Sequence, residues 1–570
     1  MDSISPTTDS GSARHRGLDL VLEAGWYGAG FAAVLALGLV NLYFPFGSDQ
    51  AVFFFGAREL DQGATLYVDY WDNKQPGLYV FYLLAGRLFG FSEYGVHLLE
   101  LIWMMAFAVV LMVTLRPYLK APWLSALAPL ATIGIYYATA GEYELTQLEM
   151  MVAFPLYLSG WCALRAVEIP SSGRRLALLF FLSGLFAAVA TLFKLLLAPI
   201  PVAFWLVASF YLFRTQRLAL VGLVAQVWLP VAVGVALPFC GTLFWFWQAG
   251  ALQELLWTAF IYPPQALTTS PHAPRSRLLS AAAFFVSNTA PWLLFAGIAA
   301  GVWLCGLGSF FSRGNRGAPG DPGRPGALRG SLVAMMLAWV LIAGILFLIQ
   351  RFSWWQYHML LLFTPVGVLA VLGIDSVTGY FIRFAESGGF ANFGQSVKPD
   401  GSRRFGWLAR TLFPAMVCSA LFAIPVAASL TGPFVVKAKP LFHGSSVLVG
   451  GVRAYHWTVS ENYKRLWLGS RFLIEPGARP GPIYSFGSAL VYGFTGRKSS
   501  HITAGSAWEF YLPEQISEIL AGFDAQQVPY IFVDRNDLKL YRERPGIGAY
   551  LDRNYRRLKK DDSGIWYERK

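Results

Sequence analysis

"PGLYVFYLLAGRLFGF", residues 76–91, decides how the rest of this 570-residue chain is read. The run is apolar enough to enter a bilayer, but it is short beside the roughly 20 residues a membrane helix needs, and it carries Arg87. If it crosses the membrane, every later loop changes sides. If it lies along the surface, Arg14, Arg16, Arg116, Lys120, Arg165, Arg174 and Arg175 all fall on one side. Arg214 and Arg217, the loop "RGNRGAPGDPGRPGALRG" and the loop with Arg383, Lys398, Arg403 and Arg404 join them. Basic residues repeated on one side mark the cytoplasmic face. The surface reading gives that pattern at every turn, and Pro76 suits the first turn of such a helix.

The flanking sequence is that of a membrane protein. Hydrophobic residues make up 55% of the chain and charged residues 14%, against about 25% charged in ordinary globular domains. Apolar runs near 24–44, 95–115, 122–140, 149–166, 176–193, 195–213, 218–238, 289–311, 331–349, 358–375 and 408–430 read as spans, about eleven in all. The expected fold class is mainly α and polytopic, with a small C-terminal α/β domain. Residues 1–23 form a cytoplasmic tail and 24–430 the membrane domain, with an outer loop at 45–94. Residues 431–570 form the outer domain, in which "GPIYSFG" and "VPYIFVD" read as strands around the helical "LPEQISEILAGFDAQQ". The Gly/Pro/Arg/Ser-rich stretches 312–330 and 384–406 read as inner linkers.

The short loops between apolar runs are rich in Lys and Arg, so the formal charge of +12 is read with orientation in the bilayer and does not point to nucleic acid. Cys162, Cys240, Cys305 and Cys418 lie in or beside apolar segments without CxxC spacing and read as small core hydrophobes. The chain contains no Asn-x-Ser/Thr sequon, which favours a bacterial periplasm over an endoplasmic reticulum lumen. The expected location is therefore a bacterial inner membrane, with the C-terminal domain in the periplasm.

On this topology the unusual polar residues collect on the outer side. The first outer loop supplies Asp49, Gln50, Arg58, Glu59, Asp69, Asp72 and Lys74. The second, "GEYELTQLE", supplies Glu142, Glu144, Gln147 and Glu149. Lys194 stands between two apolar runs, and "QRFSWWQYH" brings Arg351, Gln356, Tyr357 and His358. Charges near hydrocarbon are costly and are usually retained for function. Acids with scattered cations suit a reaction that deprotonates an acceptor while neutralising a phosphate. Blander readings stand beside these: Asp49 as a helix cap, Lys194 snorkelling to the headgroups, Arg351 as an interfacial anchor. Trp354 and Trp355 read as an aromatic belt or as the lining of a sugar or lipid groove. His97 and Glu100, one turn apart, read as a pair within the bundle.

"SDQAVFFFGARELDQGATLYVDYWDNKQPGLYVFYLLAGRLFG" resembles the first outer loop of GT-C glycosyltransferases, most closely the lipid A aminoarabinose transferases and protein O-mannosyltransferases. The likeness rests on Asp49, Arg58-Glu59, Gly63, Lys74-Gln75-Pro76 and Leu88-Phe89-Gly90. "TLFKLLLAPIP", "WWQYHMLLLFTP", "IYSFGSALVYGFTGRK" and "GIWYERK" resemble later segments of the family in the same order. The resemblance implies a GT-C membrane enzyme that takes a sugar from a polyprenyl-phosphate donor. The acceptor would be an envelope lipid, polysaccharide or protein. Asp49 would match the catalytic acid/base, Lys74 and Lys194 the cations near the donor phosphate, and Tyr357 and His358 the late motif. Arg58, Asp72, Glu144, Gln147, Glu149 and Arg351 are the further substrate-binding candidates. The family's frequent Glu after the Asp is Gln50 here, and its second-loop acid falls nearest Gln147, so a divalent metal is left open. The alternatives are a transporter or flippase of lipid-linked sugars without chemistry, or a sensor that binds through the C-terminal domain.

Overall fold

The computed structural model describes residues 10–168, 173–214, 218–269, 272–312, 325–386, 424–442, 447 and 451–570. Among them, eight helices are long and apolar enough to cross a membrane: Glu93–Tyr118, Leu148–Glu168, Arg174–Phe193, Leu195–Arg214, Leu220–Gln248, Arg275–Cys305, Arg329–Ile349 and Gln356–Tyr380. They pack into a multi-pass bundle, preceded by the helix Ser10–Leu39. Most of the expected linkers 312–330 and 384–406, and of the expected span 408–430, lies outside the described residues. At its described edge, the helix Pro325–Ile349 takes up the end of the first linker.

The segment 76–91 is a helix, Pro76–Phe89, of 14 residues. At 1.5 Å per residue that is about 21 Å, short of a hydrocarbon core about 30 Å thick. Leu78, Tyr79, Tyr82 and Ala85 are buried against the bundle, while Val80, Leu84 and Leu88, four residues apart, form an exposed apolar stripe. The helix thus has one buried face and one exposed apolar face, the pattern expected of a surface helix. Its first turn meets the end of Arg174–Phe193. A Cβ on Gly77 would lie 2.7 Å from the Leu192 carbonyl oxygen, so only glycine permits the approach.

The stretch expected as a span at 122–140 is not one continuous α-helix. It divides into a 3₁₀ segment Pro122–Leu127, a π segment Leu130–Gly134 and a short α-helix Ile135–Thr139. Pro122 and Pro129 each lack a backbone donor, which interrupts the regular ladder. The cysteines also depart from expectation: Cys162 is buried, but Cys240 and Cys305 are exposed on apolar helices, and Cys418 lies outside the described residues. His97 and Glu100 do not pair. His97 Nδ1 faces the Leu42 carbonyl (3.4 Å), and Glu100 turns to Tyr136 and Thr146.

One end of the bundle is locked by charge pairs. Arg329 binds Asp375, whose other oxygen accepts from Ala121 N (2.9 Å). Arg116 pairs with Glu23 (2.9 Å) and Arg165 with Glu168 (2.5 Å). The opposite end carries the C-terminal domain. Its sheet has the order β1-β2-β4-β3, with β1 at Ile483–Phe486, β2 at Tyr530–Asp534, β3 at Tyr555–Asp561 and β4 at Gly564–Arg569. β1 and β2 run parallel, and the helix Pro513–Ala525 lies between them in sequence, as the alternating pattern predicts. The terminal hairpin β3–β4 adds two antiparallel partners. Ser48 Oγ meets Ser506 Oγ (3.1 Å), and Trp71 N donates to the Ile502 carbonyl (2.8 Å), so the first loop and the domain are joined directly.

Inside the bundle, Arg174–Phe193 and Leu229–Gln248 cross at two glycines. A Cβ on Gly184 would lie 2.3 Å from Val231 O, and one on Gly234 would lie 2.1 Å from Phe181 O. Small residues let membrane helices pack backbone to backbone. Gly184→Val and Gly234→Val are each expected to cost about 1–3 kcal/mol through overpacking, read as a lower melting temperature of the purified protein. An unchanged melting curve in both variants would show that this crossing does not hold the bundle.

Candidate functional site

The site begins with a chain reversal. After the first helix the backbone turns, and Asp49 falls in the first turn of the helix Ser48–Asp61. No side chain caps that helix, so Asp49 is not spent as its N-cap; Gly47 holds that place. Gln147 Nε2 donates to Asp49 Oδ2 (3.4 Å) and also to the Tyr143 carbonyl (2.9 Å). The Tyr357 hydroxyl stands beside the same carboxylate. Burial pushes the Asp49 carboxyl above its ordinary pKa, against the lowering effect of the Lys74 charge.

Lys74 lies on the loop before the surface helix. Its Nζ donates to Asn73 Oδ1 (2.8 Å) and sits 5.7 Å from the centre of the Phe53 ring. Its carbonyl accepts from the Tyr67 hydroxyl (2.6 Å). Burial acts to lower the Lys74 pKa, but the carboxylates of Asp72, Asp49 and Glu149 outweigh it and hold the group above its usual value. The ammonium therefore stays charged at neutral pH. Asp72 itself accepts from the Tyr79 hydroxyl (2.7 Å), which fixes the loop to the surface helix.

A second cluster adjoins the first. The helix Arg174–Phe193 ends at Lys194, whose backbone is extended (φ −155°, ψ 102°), and a short 3₁₀ turn follows. The break turns the Lys194 ammonium inward to Glu149 Oε1 (2.8 Å), and His358 Nδ1 meets the same oxygen (2.8 Å). The side chains are 14%, 2% and 8% exposed for Lys194, Glu149 and His358, so this is a buried triad. Glu144 accepts from Gly141 N (2.9 Å) and from Gln356 Nε2 (2.6 Å), bridging the second loop to the late motif.

Asp49, Asp72, Lys74, Glu144, Gln147, Glu149, Lys194, Tyr357 and His358 thus lie in one region. Arg58 and Arg351 do not join them. Arg58 is exposed nine residues beyond Asp49, and at about 100° per residue that is the opposite face of the helix. Arg351 is exposed and lies over the neighbouring Phe352 ring (5.4 Å). Two contributors, Arg277 and Glu509, are absent from the sequence reading, and a third, Glu100, figures there only as a bundle pair with His97. Arg277 stacks on Trp355 at 3.9 Å, so that indole carries a cation at its face. Glu509 of the C-terminal domain acts electrostatically on Lys74 and Asp49. Glu100 accepts from Thr146 Oγ1 (2.7 Å) and from Tyr136, which holds Thr146 at φ +52°. Only Glu100 had a sequence signal, a carboxylate inside an apolar run.

Among the described residues, no group of three or more His, Cys, Asp and Glu side chains is placed to hold a metal ion. Around Asp49 stand an amide, a phenol and an ammonium, the carboxylates of Asp72 and Glu509 act on it electrostatically, and one oxygen of Glu149 is shared between Lys194 and His358.

The fold is thus a helical membrane bundle with an acidic first loop, a short amphipathic helix and a C-terminal α/β domain. Among solved structures the chain is similar to ArnT, the lipid A aminoarabinose transferase, from Cupriavidus metallidurans. The apo form matches with a TM-score of 0.57 and 14% identity over 95% of this chain and 98% of that one. The form bound to undecaprenyl phosphate matches with a TM-score of 0.55 and 15% identity over 95% and 97%. No family model and no curated protein sequence matches the chain. At these identities the likeness is one of fold.

Removing one partner of a buried ion pair leaves the other uncompensated, at a cost of about 3–5 kcal/mol. Lys194→Met is expected to lose that much, and the double variant Glu149→Gln/Lys194→Met less than the two single losses combined. Thermal unfolding of the four proteins measures the coupling; strict additivity would mean the triad is not an energetic unit.

Proposed function

We propose that this chain is an integral-membrane glycosyltransferase that moves a sugar from a polyprenyl-phosphate donor to an envelope acceptor at the periplasmic face. The observation that carries the reading is Asp49: a carboxylate enclosed beside Lys74, Gln147 and Tyr357, with no capping duty in its own helix. The shared fold with ArnT, one form of which holds undecaprenyl phosphate, supports the donor class.

In this mechanism Asp49 takes a proton from the acceptor hydroxyl or amine. The acceptor atom attacks the anomeric carbon as the bond from that carbon to the phosphate oxygen breaks. The electron pair leaves with the polyprenyl phosphate, so one displacement inverts the anomeric centre. The raised pKa of Asp49 makes it a stronger base than an ordinary aspartate, and the Gln147 amide orients it. Lys74, kept charged by its carboxylate neighbours, stabilises the departing phosphate. Lys194 acts mainly by fixing Glu149 and His358, which set the wall against which Tyr357 packs (ring centroids of Tyr357 and His358 4.6 Å apart).

Mass spectrometry of membrane lipids and envelope glycans tests the reading directly. Cells lacking the protein and cells carrying Asp49→Asn are both expected to accumulate one polyprenyl-phosphate sugar and to lose one envelope sugar. If Asp49→Asn cells match those with the intact protein, Asp49 is not the base.

The pKa shift gives a second test. Burial raises the folded pKa, so the fold favours the protonated acid. The stabilising contribution is present below the unfolded value of about 3.9 and is lost as pH rises through the folded pKa. At neutral pH the ionised Asp49 is thus a stability cost. Asp49→Asn is expected to melt at or above the temperature of the wild type while turnover is lost. The acidic limb of kcat/KM is expected to lie above the range of an ordinary aspartate. A clear drop in melting temperature on Asp49→Asn would instead mark a structural carboxylate.

A further inference from the structure

Beside the Asp49 cluster lies a cleft of about 830 Å³ that the proposed chemistry leaves unused. Sites for small ligands run from roughly 300 to 1,000 Å³. One wall is formed by the helices Leu252–Leu256 and Tyr262–Thr269. The other is the C-terminal domain, through His501–Thr503 and the first turns of Pro513–Ala525. Tyr67 and Trp71 of the first loop close the floor.

The lining selects by charge. It holds three carboxylates, Glu254, Glu514 and Glu518, and neither Lys nor Arg. Its histidine, His501, is pushed down to a pKa of about 4 by burial and is neutral at physiological pH. A phosphate would meet only like charge here, so the cleft is not a second site for the donor. Glu254 adds a specific demand. Its Oε2 is shielded from solvent and has no hydrogen-bond partner, although the residue lines an open space. An unpaired buried acceptor of this kind is costly unless a ligand supplies a donor.

The other polar groups match a polyol. The amides of Gln253 and Gln265 offer donors and acceptors, and the hydroxyls of Thr268 and Thr269, which donate to the Gln265 carbonyl, offer acceptors beside them. Trp257 presents an indole, a flat apolar surface suited to the face of a sugar ring. The lining thus pairs flat rings with closely spaced hydrogen-bonding groups, a pattern made for a hydroxylated ring more than for apolar side chains.

We propose that this cleft docks the glycan portion of the acceptor, as a neutral or amine-bearing oligosaccharide. The proposal rests on the transferase reading and names the acceptor class for it. The floor supplies the link to the reaction. Trp71 Nε1 donates to Thr258 Oγ1 (3.1 Å) on the cleft side, and the next residue, Asp72, faces Lys74. Tyr67, also on the floor, holds the Lys74 carbonyl. An oligosaccharide seated here has its end one loop's thickness from Asp49.

The test uses the purified full-length protein in lipid nanodiscs, with tryptophan fluorescence and saturation-transfer NMR as readouts. The probes are chitosan tetraose, maltotetraose, tetragalacturonate and a lysine- and serine-rich peptide. Chitosan tetraose or maltotetraose is expected to bind, and tetragalacturonate not. Glu254→Gln is expected to weaken sugar binding about tenfold, through loss of one charge-assisted hydrogen bond. The rim variant Gln265→Ala/Glu518→Ala changes only exposed side chains and keeps the test valid if Glu254→Gln unfolds. Asp49→Asn is expected to bind the sugars as the wild type does. Four results overturn the proposal: no sugar binds; tetragalacturonate binds as well as the others; only the peptide binds; or neither folded cleft variant weakens binding. Sugar binding together with full turnover of Asp49→Asn would sink the assigned base and leave the cleft standing.

Discussion

A buried carboxylate shared by an ammonium and an imidazole sets the geometry of one end of this bundle. Glu149, Lys194 and His358 come from segments 45 and 209 residues apart, yet two of them meet one oxygen of the third at 2.8 Å. Removing such charges from water costs several kcal/mol per ion, so one partner alone would compensate poorly. The other oxygen, Oε2, remains unpaired, which makes the arrangement a poor device for stability alone. Its effect is placement. It fixes where the second loop ends, where the helix Arg174–Phe193 breaks, and where the late motif begins.

Gln147 shows how far that placement reaches. It lies two residues before Glu149 and directly follows Thr146, whose left-handed backbone is held by Glu100 and Tyr136. Strained backbone of this kind persists only where the surroundings over-determine it. With both flanks fixed, the Gln147 amide has little freedom except to face Asp49. An amide there differs in kind from an acid. A carboxylate at 3.4 Å would repel the Asp49 charge and raise its pKa further, whereas the amide donates a hydrogen bond and keeps the base available.

Much of this was legible in the sequence because it follows from period and solvation. The length of the helix Pro76–Phe89, short of a bilayer crossing, follows from the short apolar run between Lys74 and Phe91. Lys194 interrupts two apolar runs, so a break at that point is the expected solution. The strands at 483–486 and 530–534 follow from short β-rich runs on either side of a helical period. What stayed hidden depends on which faces meet. The helical period of Ser48–Asp61 already separates Arg58 from Asp49, but it does not tell which face is buried. The stacking of Arg277 on Trp355, and the approach of Glu509, join segments with no shared local pattern. Sequence order ranks such residues as loop charges until the fold brings them together.

The C-terminal domain completes an environment that the bundle alone could not provide. Ser506 bonds to Ser48 next to the proposed base, Ile502 and Phe510 accept from Trp71 and Tyr262, and Ser460 binds Glu142 of the second loop. Gly493 makes the approach intimate, since a Cβ there would lie 2.8 Å from the Phe55 ring. Each contact covers a loop that the membrane helices leave exposed at their ends. Excluding water lowers the effective dielectric, which strengthens every charge interaction beneath. The same exclusion raises the pKa of Asp49 and lets nearby carboxylates keep Lys74 charged despite its burial. A base made stronger and a cation kept charged, a loop apart, both follow from one covered space.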